Sequence, residues 1–157
     1  MGYYLNAFIG RSRDISCICQ SYNKAMPVSL GQDISLIPLT KDLFDQINEL
    51  GVTESIGDFE YLTGSIELNI LRVIKEKSLA YVEVTYFGGE GGQTGIIWKD
   101  GKRTVELAYG QEVINIILRV FGVIAEHPQD EFDTLGFGRY RNTQDWTKSG
   151  DHSPTKG

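Results

Sequence analysis

Cysteine is scarce in this 157-residue chain: Cys17 and Cys19 are its two. One residue apart, they stand too close for an ordinary disulfide, and no second pair completes a zinc site. They read as reduced thiols, small side chains on a helix, which fits the cytosol. Long apolar runs are missing too. No stretch approaches the ~20 residues of a membrane span. The start, MGYYLNAFIGRSR, has no basic leader followed by a long apolar core, so no signal peptide is expected. Positive charge is short: 15 basic residues face 21 acidic ones, for a net charge of −6 and a pI near 4.9. Such a field repels phosphate backbones and speeds encounter with a basic protein. No internal repeat is present, and no set of residues forms an unmistakable catalytic centre.

What is present is globular. The chain is 41% hydrophobic and 23% charged, and at this length it can bury roughly 70% of its unfolded surface without a disulfide or a metal. Residues 79–107 are the clearest stretch. Three strand-like runs with two glycine-marked turns predict an antiparallel meander. Ala80, Val82, Val84 and Tyr86 alternate onto one face, and Tyr81, Glu83, Thr85 and Phe87 onto the other. Asp100-Gly101 carries the strongest short hairpin signal, a two-residue turn with both residues at positive φ.

Around the meander, residues 3–9 read as a buried strand and residues 14–22 as a helix broken at Met26-Pro27. Residues 28–31 read as connecting material. Residues 34–39, with Pro38, read as an edge strand or strand end. Thr40 caps a helix over 41–50, whose buried face is Leu43, Phe44, Ile47 and Leu50. A loop over 52–64 holds at most a short strand at 59–62. Ser65 caps a second helix over 65–77, with Ile66, Ile70, Val73 and Ile74 as its stripe. A third helix over 111–124 has little polar face and is expected to be the central, most buried one. The expected fold is therefore α+β: an antiparallel sheet of the meander plus the N-terminal strand, with the helices packed mainly on one face. Residues 1–146 form one domain, and 147–157 read as a frayed tail.

Four features could carry chemistry. Gly88, Gly89, Gly91 and Gly92 surround Glu90 in a run that ends at Gly95. A phosphate cradle needs a lysine after its last glycine and a helix beyond it. Here Gln93-Thr94 stand in that place and a strand follows, so a wide hairpin or a binding loop is expected rather than a nucleotide site. Glu126, Asp130, Glu131 and Asp133 surround His127 without the spacing of a calcium loop, so a solvated acidic loop is the simpler reading. No nucleophile stands beside His127 or His152. Glu83, among aromatic residues, could titrate as an acid or base, or pair across the meander with Arg103. The stretch from Asp130 to Trp146 holds Arg139, Tyr140, Arg141 and Trp146, residue types of core-covering loops and of interface hot spots alike.

The quoted residues form a pattern: an opening strand, SLIPLT before a short helix, YVEVTYFGGEGGQ with Trp98 five residues on, LRVFGV, and DEFDTLGFGRYRNTQDW. It resembles a family of small single-domain bacterial proteins of no established activity, of the kind that accompany secreted toxins as immunity proteins. The resemblance supplies no catalytic residues. It implies an immunity-type inhibitor of a bacterial toxin. The acidic surface, the small single domain and the lack of a catalytic set themselves point to a cytoplasmic protein-binding module, with Glu83, Glu90, Asp130, Glu131 and Asp133 as partner-binding acids and Tyr140 and Trp146 as aromatic anchors. The partner is a protein, with a basic toxin domain as the form the resemblance suggests. No cofactor, metal, nucleic acid or membrane is called for. The alternative is a small enzyme or ligand-binding domain whose pocket lies near Glu83, Gly88–Gln93 and His127.

Overall fold

Strand β1, Gly2–Arg11, lies inside the sheet although it opens the chain. A computed structural model describes residues 2–49 and 51–150. Leu50, expected on a buried helix face, and residues 151–157, with His152, lie outside the described residues. The other strands are β2 (Val28–Gly31), β3 (Ile34–Pro38), β4 (Ser78–Phe87), β5 (Glu90–Lys99) and β6 (Lys102–Gly110). They form one sheet in the order β2-β3-β1-β4-β5-β6, and all neighbours are antiparallel. The fold is α+β, with the meander and the N-terminal strand in one sheet as expected.

Local chemistry explains the elements that matched expectation. Thr40 accepts a hydrogen bond from the Leu43 NH and starts α2, Lys41–Ile47. Asp100 and Gly101 have φ of 54° and 79° and join β5 to β6 in the primed turn. The even residues of β4 from Ala80 to Val84 enter one core, and Tyr81 enters the other.

Several expectations need correction. Residues 28–31 are not connecting material but β2, the edge strand, which leaves β3 internal and fully buried. Pro38 is tolerated because it closes β3, where its missing NH breaks no ladder. Thr63, not Ser65, caps α3, Gly64–Ile74, through the Ile66 NH. Residues 59–62 are loop, with one isolated bridge nearby between Ser55 and Thr63. Helix α4 is only Val113–Val120, and it has an outer face: Arg119 and Val120 are exposed.

The helices do not pack mainly on one face. Helix α1 (Ser12–Ser21), α2 and α3 cover one side around Phe8, Tyr81, Ile96 and Trp98. Helix α4, the short α5 (Glu131–Thr134) and the chain through Phe137 to Trp146 cover the other, around Leu5, Ala7, Val82 and Val84. Each fully buried large side chain contributes about 1.5–3 kcal/mol, so neither face could be left bare at its centre. Gly95 admits α4: a Cβ there would stand 2.6 Å from the Val113 side chain and 2.9 Å from Ile117. Helix α6, Trp146–Gly150, occupies the start of the segment expected to fray.

Candidate functional site

Glu83 points to the α2/α3 side of the sheet, opposite Asn6 of β1 and Thr94 of β5. The loop before α3 closes over it. Its Oε1 accepts from the Glu60 NH at 2.5 Å. Its Oε2 accepts from the Tyr61 NH at 2.8 Å, the Leu62 NH at 3.1 Å and the Tyr81 hydroxyl at 2.9 Å. Three successive amides thus form an anion nest around one carboxylate. Burial pushes the Glu83 carboxyl above its usual range, and the four donors pull it back. Burial and the Glu83 charge push the Tyr81 phenol well up. The arrangement is a latch that pins the 60–62 loop to the sheet. The expected pairing of Glu83 with Arg103 does not occur. Arg103 instead makes a bidentate pair with Glu67 at 2.6 and 2.8 Å, and the same carboxylate accepts from Trp98 Nε1. The Arg103 guanidinium holds the Glu67 carboxyl below its usual range. Residue spacing could not reveal either partner, because both lie on a different element.

Beyond Glu83 the same face of the sheet is uncovered. Strand alternation and register place Tyr4, Thr85, Phe87 and Gly92 there together. The Tyr109 ring lies over Gly92, where a Cβ would come within 2.6 Å of it. Tyr4 is 41% exposed, Phe87 66% and Tyr109 60%, which marks this half-face as an aromatic surface. Tyr61, on the latched loop, borders it. Glu54, Asp58, Glu60 and Glu90 are exposed along this side. No lysine or arginine stands between Lys41 and Arg72, or between Lys77 and Lys99.

The glycine run is not a wide loop. Gly88 and Gly89, with φ of 62° and 84°, make a tight turn, and Phe87 pairs directly with Glu90. Gly91 and Gly92 belong to β5. A Cβ on Gly91 would collide with the Thr85 carbonyl, so these glycines serve close packing.

Other expected site residues are dispersed. Asp130 and Asp133 lie on the α4 side, where Asp130 caps α5 through the Asp133 NH. Glu131 is buried and pairs with Arg119 at 2.9 Å, which lowers its carboxyl pKa. Trp146 is fully buried, with Tyr140 edge-on at 5.0 Å and Arg139 over its ring. Neither Glu131 nor Trp146 can meet a partner, and Glu83 is spent on its latch. His127 is exposed in the loop after α4, on the opposite face from Glu83, so the pocket imagined around Glu83, Gly88–Gln93 and His127 is not assembled. The one signal for Trp146 was its residue type within an aromatic stretch, which reads equally as core. Among the described residues, no group of three or more His, Cys, Asp or Glu is placed to hold a metal ion, and no helix is long and apolar enough to cross a membrane.

A groove of about 490 Å³ lies where the covered and bare halves of the face meet. Asn6 lines its floor, with Leu39, Phe44, Tyr61 and the 143–144 turn as walls. No family model, curated protein or solved structure matches the chain, so what this surface does has to be argued from its own geometry.

Proposed function

We propose that the chain is a cytoplasmic protein-binding module that receives a basic partner on the bare aromatic half of its sheet, as an immunity-type inhibitor masks a bacterial toxin. The observation that carries this reading is the cluster of Tyr4, Phe87 and Tyr109, exposed on rigid strands, with the exposed acids Glu54, Asp58, Glu60 and Glu90 along the same side. Aromatic side chains dominate interface energetics, and they also take up the cationic side chains of a basic partner. The acidic border speeds encounter. Glu90 and the loop acids Glu54, Asp58 and Glu60 belong to this site, and Asp130, Asp133 and Tyr140 do not. Two half-buried free thiols, Cys17 and Cys19, whose pKa values are raised mainly by burial, suit a reducing compartment.

The test begins with a pull-down from the source lysate, using the wild type and the double variant Phe87→Ser/Tyr109→Ser. The double variant should keep the wild-type melting temperature, lose the partner and dissociate faster, at a cost of ~2 kcal/mol or more. Charge reversal at Glu54, Asp58 and Glu90 should slow association, and more so at low salt. A partner that binds the double variant as tightly as the wild type overturns the proposal.

A further inference from the structure

We propose that the groove beside Asn6 is a binding site for a neutral, planar aromatic group with a hydrogen-bonding edge, of the carboxamide or nucleobase type. Its volume of about 490 Å³ falls within the 300–1,000 Å³ typical of small-molecule pockets. Four elements distant in sequence build it: β1, the start of α2, the latched loop and the 143–144 turn.

The walls point to an aromatic guest. Phe44 and Tyr61 stand edge to face, with centroids 6.4 Å apart and planes at 87°. A flat ring can lie on one of them and meet the edge of the other, both favoured arrangements. The polar groups point to a neutral guest with a donor and an acceptor. Asn6 is fixed through its backbone: its NH donates to Thr143 Oγ1 at 3.0 Å, and its carbonyl accepts from the Leu39 NH at 2.7 Å. Its side-chain amide has no hydrogen-bond partner among the described residues, and neither does that of Gln144, which also lines the groove. A free carboxamide presents one donor group and one acceptor side by side. The only charged lining pair, Lys41 and Asp45, is closed on itself at 2.8 Å and leaves no net charge to recruit an ion. An anionic guest would also face the acidic border described above.

The site is preorganised. The Glu83 latch holds the Tyr61 amide, and Thr40 fixes the start of the helix that carries Phe44. Binding therefore has little conformational order left to impose.

The experiment is an NMR titration of the full chain with benzamide and, separately, adenine. Each probe is too small to bind tightly, so saturation at about millimolar concentration is expected. Resonances of the Asn6 and Gln144 side-chain amides and of the Phe44 and Tyr61 rings should shift together. Asn6→Leu keeps the branched shape and removes the amide, and should weaken binding roughly tenfold, the loss of one good hydrogen bond. Gln144→Leu, at an exposed position, provides the same reading should Asn6→Leu fail to fold. Saturation by benzamide alone assigns a carboxamide, and by adenine alone a nucleobase. If neither probe moves these resonances, or if folded leucine variants bind both as the wild type does, the site does not exist as described. This result is independent of the protein-binding face, which the Phe87 and Tyr109 variants report.

Discussion

Replacing Glu83 tests whether the carboxylate is a latch. In Glu83→Ala, three backbone NH groups and the Tyr81 hydroxyl lose their acceptor. Water can reach the part-buried Glu60 and Tyr61 amides, which limits their cost, but the Leu62 amide and the Tyr81 hydroxyl are buried. At 1–3 kcal/mol for a buried orphan and less for the others, the gross loss is about 3–5 kcal/mol. The desolvation that raises the Glu83 pKa is relieved at the same time, which places the net near the low end, about 3 kcal/mol. For a domain of this size that lowers the melting temperature by roughly 6–12 °C. Glu83→Gln keeps the shape. Its carbonyl can take the Oε2 position and its three donors, while its NH2 then opposes the Glu60 NH, for about 1–2 kcal/mol. The order of stability should be wild type, Gln, Ala, read by circular dichroism melts. The pH dependence supplies a second signature. The folded-state pKa of Glu83 is raised, so the folded protein holds this proton more tightly than the unfolded chain does. Its contribution to stability is fully present below the ordinary carboxylate value and is lost as pH rises through the raised folded value. The wild-type advantage over Glu83→Gln should therefore shrink from acid towards neutral pH. An Ala variant that melts within about 2 °C of the wild type, on the scale of one small contact, would show that the nest holds nothing in place.

Three further substitutions test the packing. Ile117→Asp buries a charge on the inner face of α4, where Ile117 is fully enclosed, and should abolish the cooperative melt at a cost of several kcal/mol. Gly95→Val drives a side chain into Val113 and Ile117; it should cost about 1–3 kcal/mol, and a wild-type melting temperature would mean that α4 sits elsewhere. Gly101→Val forces a β-branched residue to φ of 79° in a turn with open space around it, so about 1 kcal/mol or more of strain alone should appear in a denaturant titration.

How much of this was visible in the sequence depends on the range of the cause. The meander, the Thr40 cap and the Asp100-Gly101 turn rest on residues a few positions apart, and they could be read directly. The division of helices between two faces could not: an amphipathic stripe shows that a helix is covered on one side, not which side of the sheet covers it. Strand β2 was hidden because VSLG is short and ends in glycine, and it is a strand only through β3. The glycines of β5 looked like a loop, but their reasons are a backbone carbonyl on β4, a tyrosine on β6 and a helix behind the sheet. The bare aromatic half-face follows from alternation in β1 and β4, yet its exposure depends on where the helices stop.

The central position of β1 has a consequence for the order of assembly. Its outer end is sealed by groups more than a hundred residues away: Tyr3 Oη donates to the Phe137 carbonyl, and the Tyr4 NH to that of Arg141. Its long partner β4 begins only at Ser78. The Gly2–Asn6 part of β1, which β3 does not reach, must therefore wait for β4 to be made, and closure of its outer end comes last. Contacts of such span slow folding. In the finished protein the Tyr4 amide then reports on the C-terminal third: its hydrogen exchange should quicken whenever the segment around Arg141 lifts, long before the sheet itself opens.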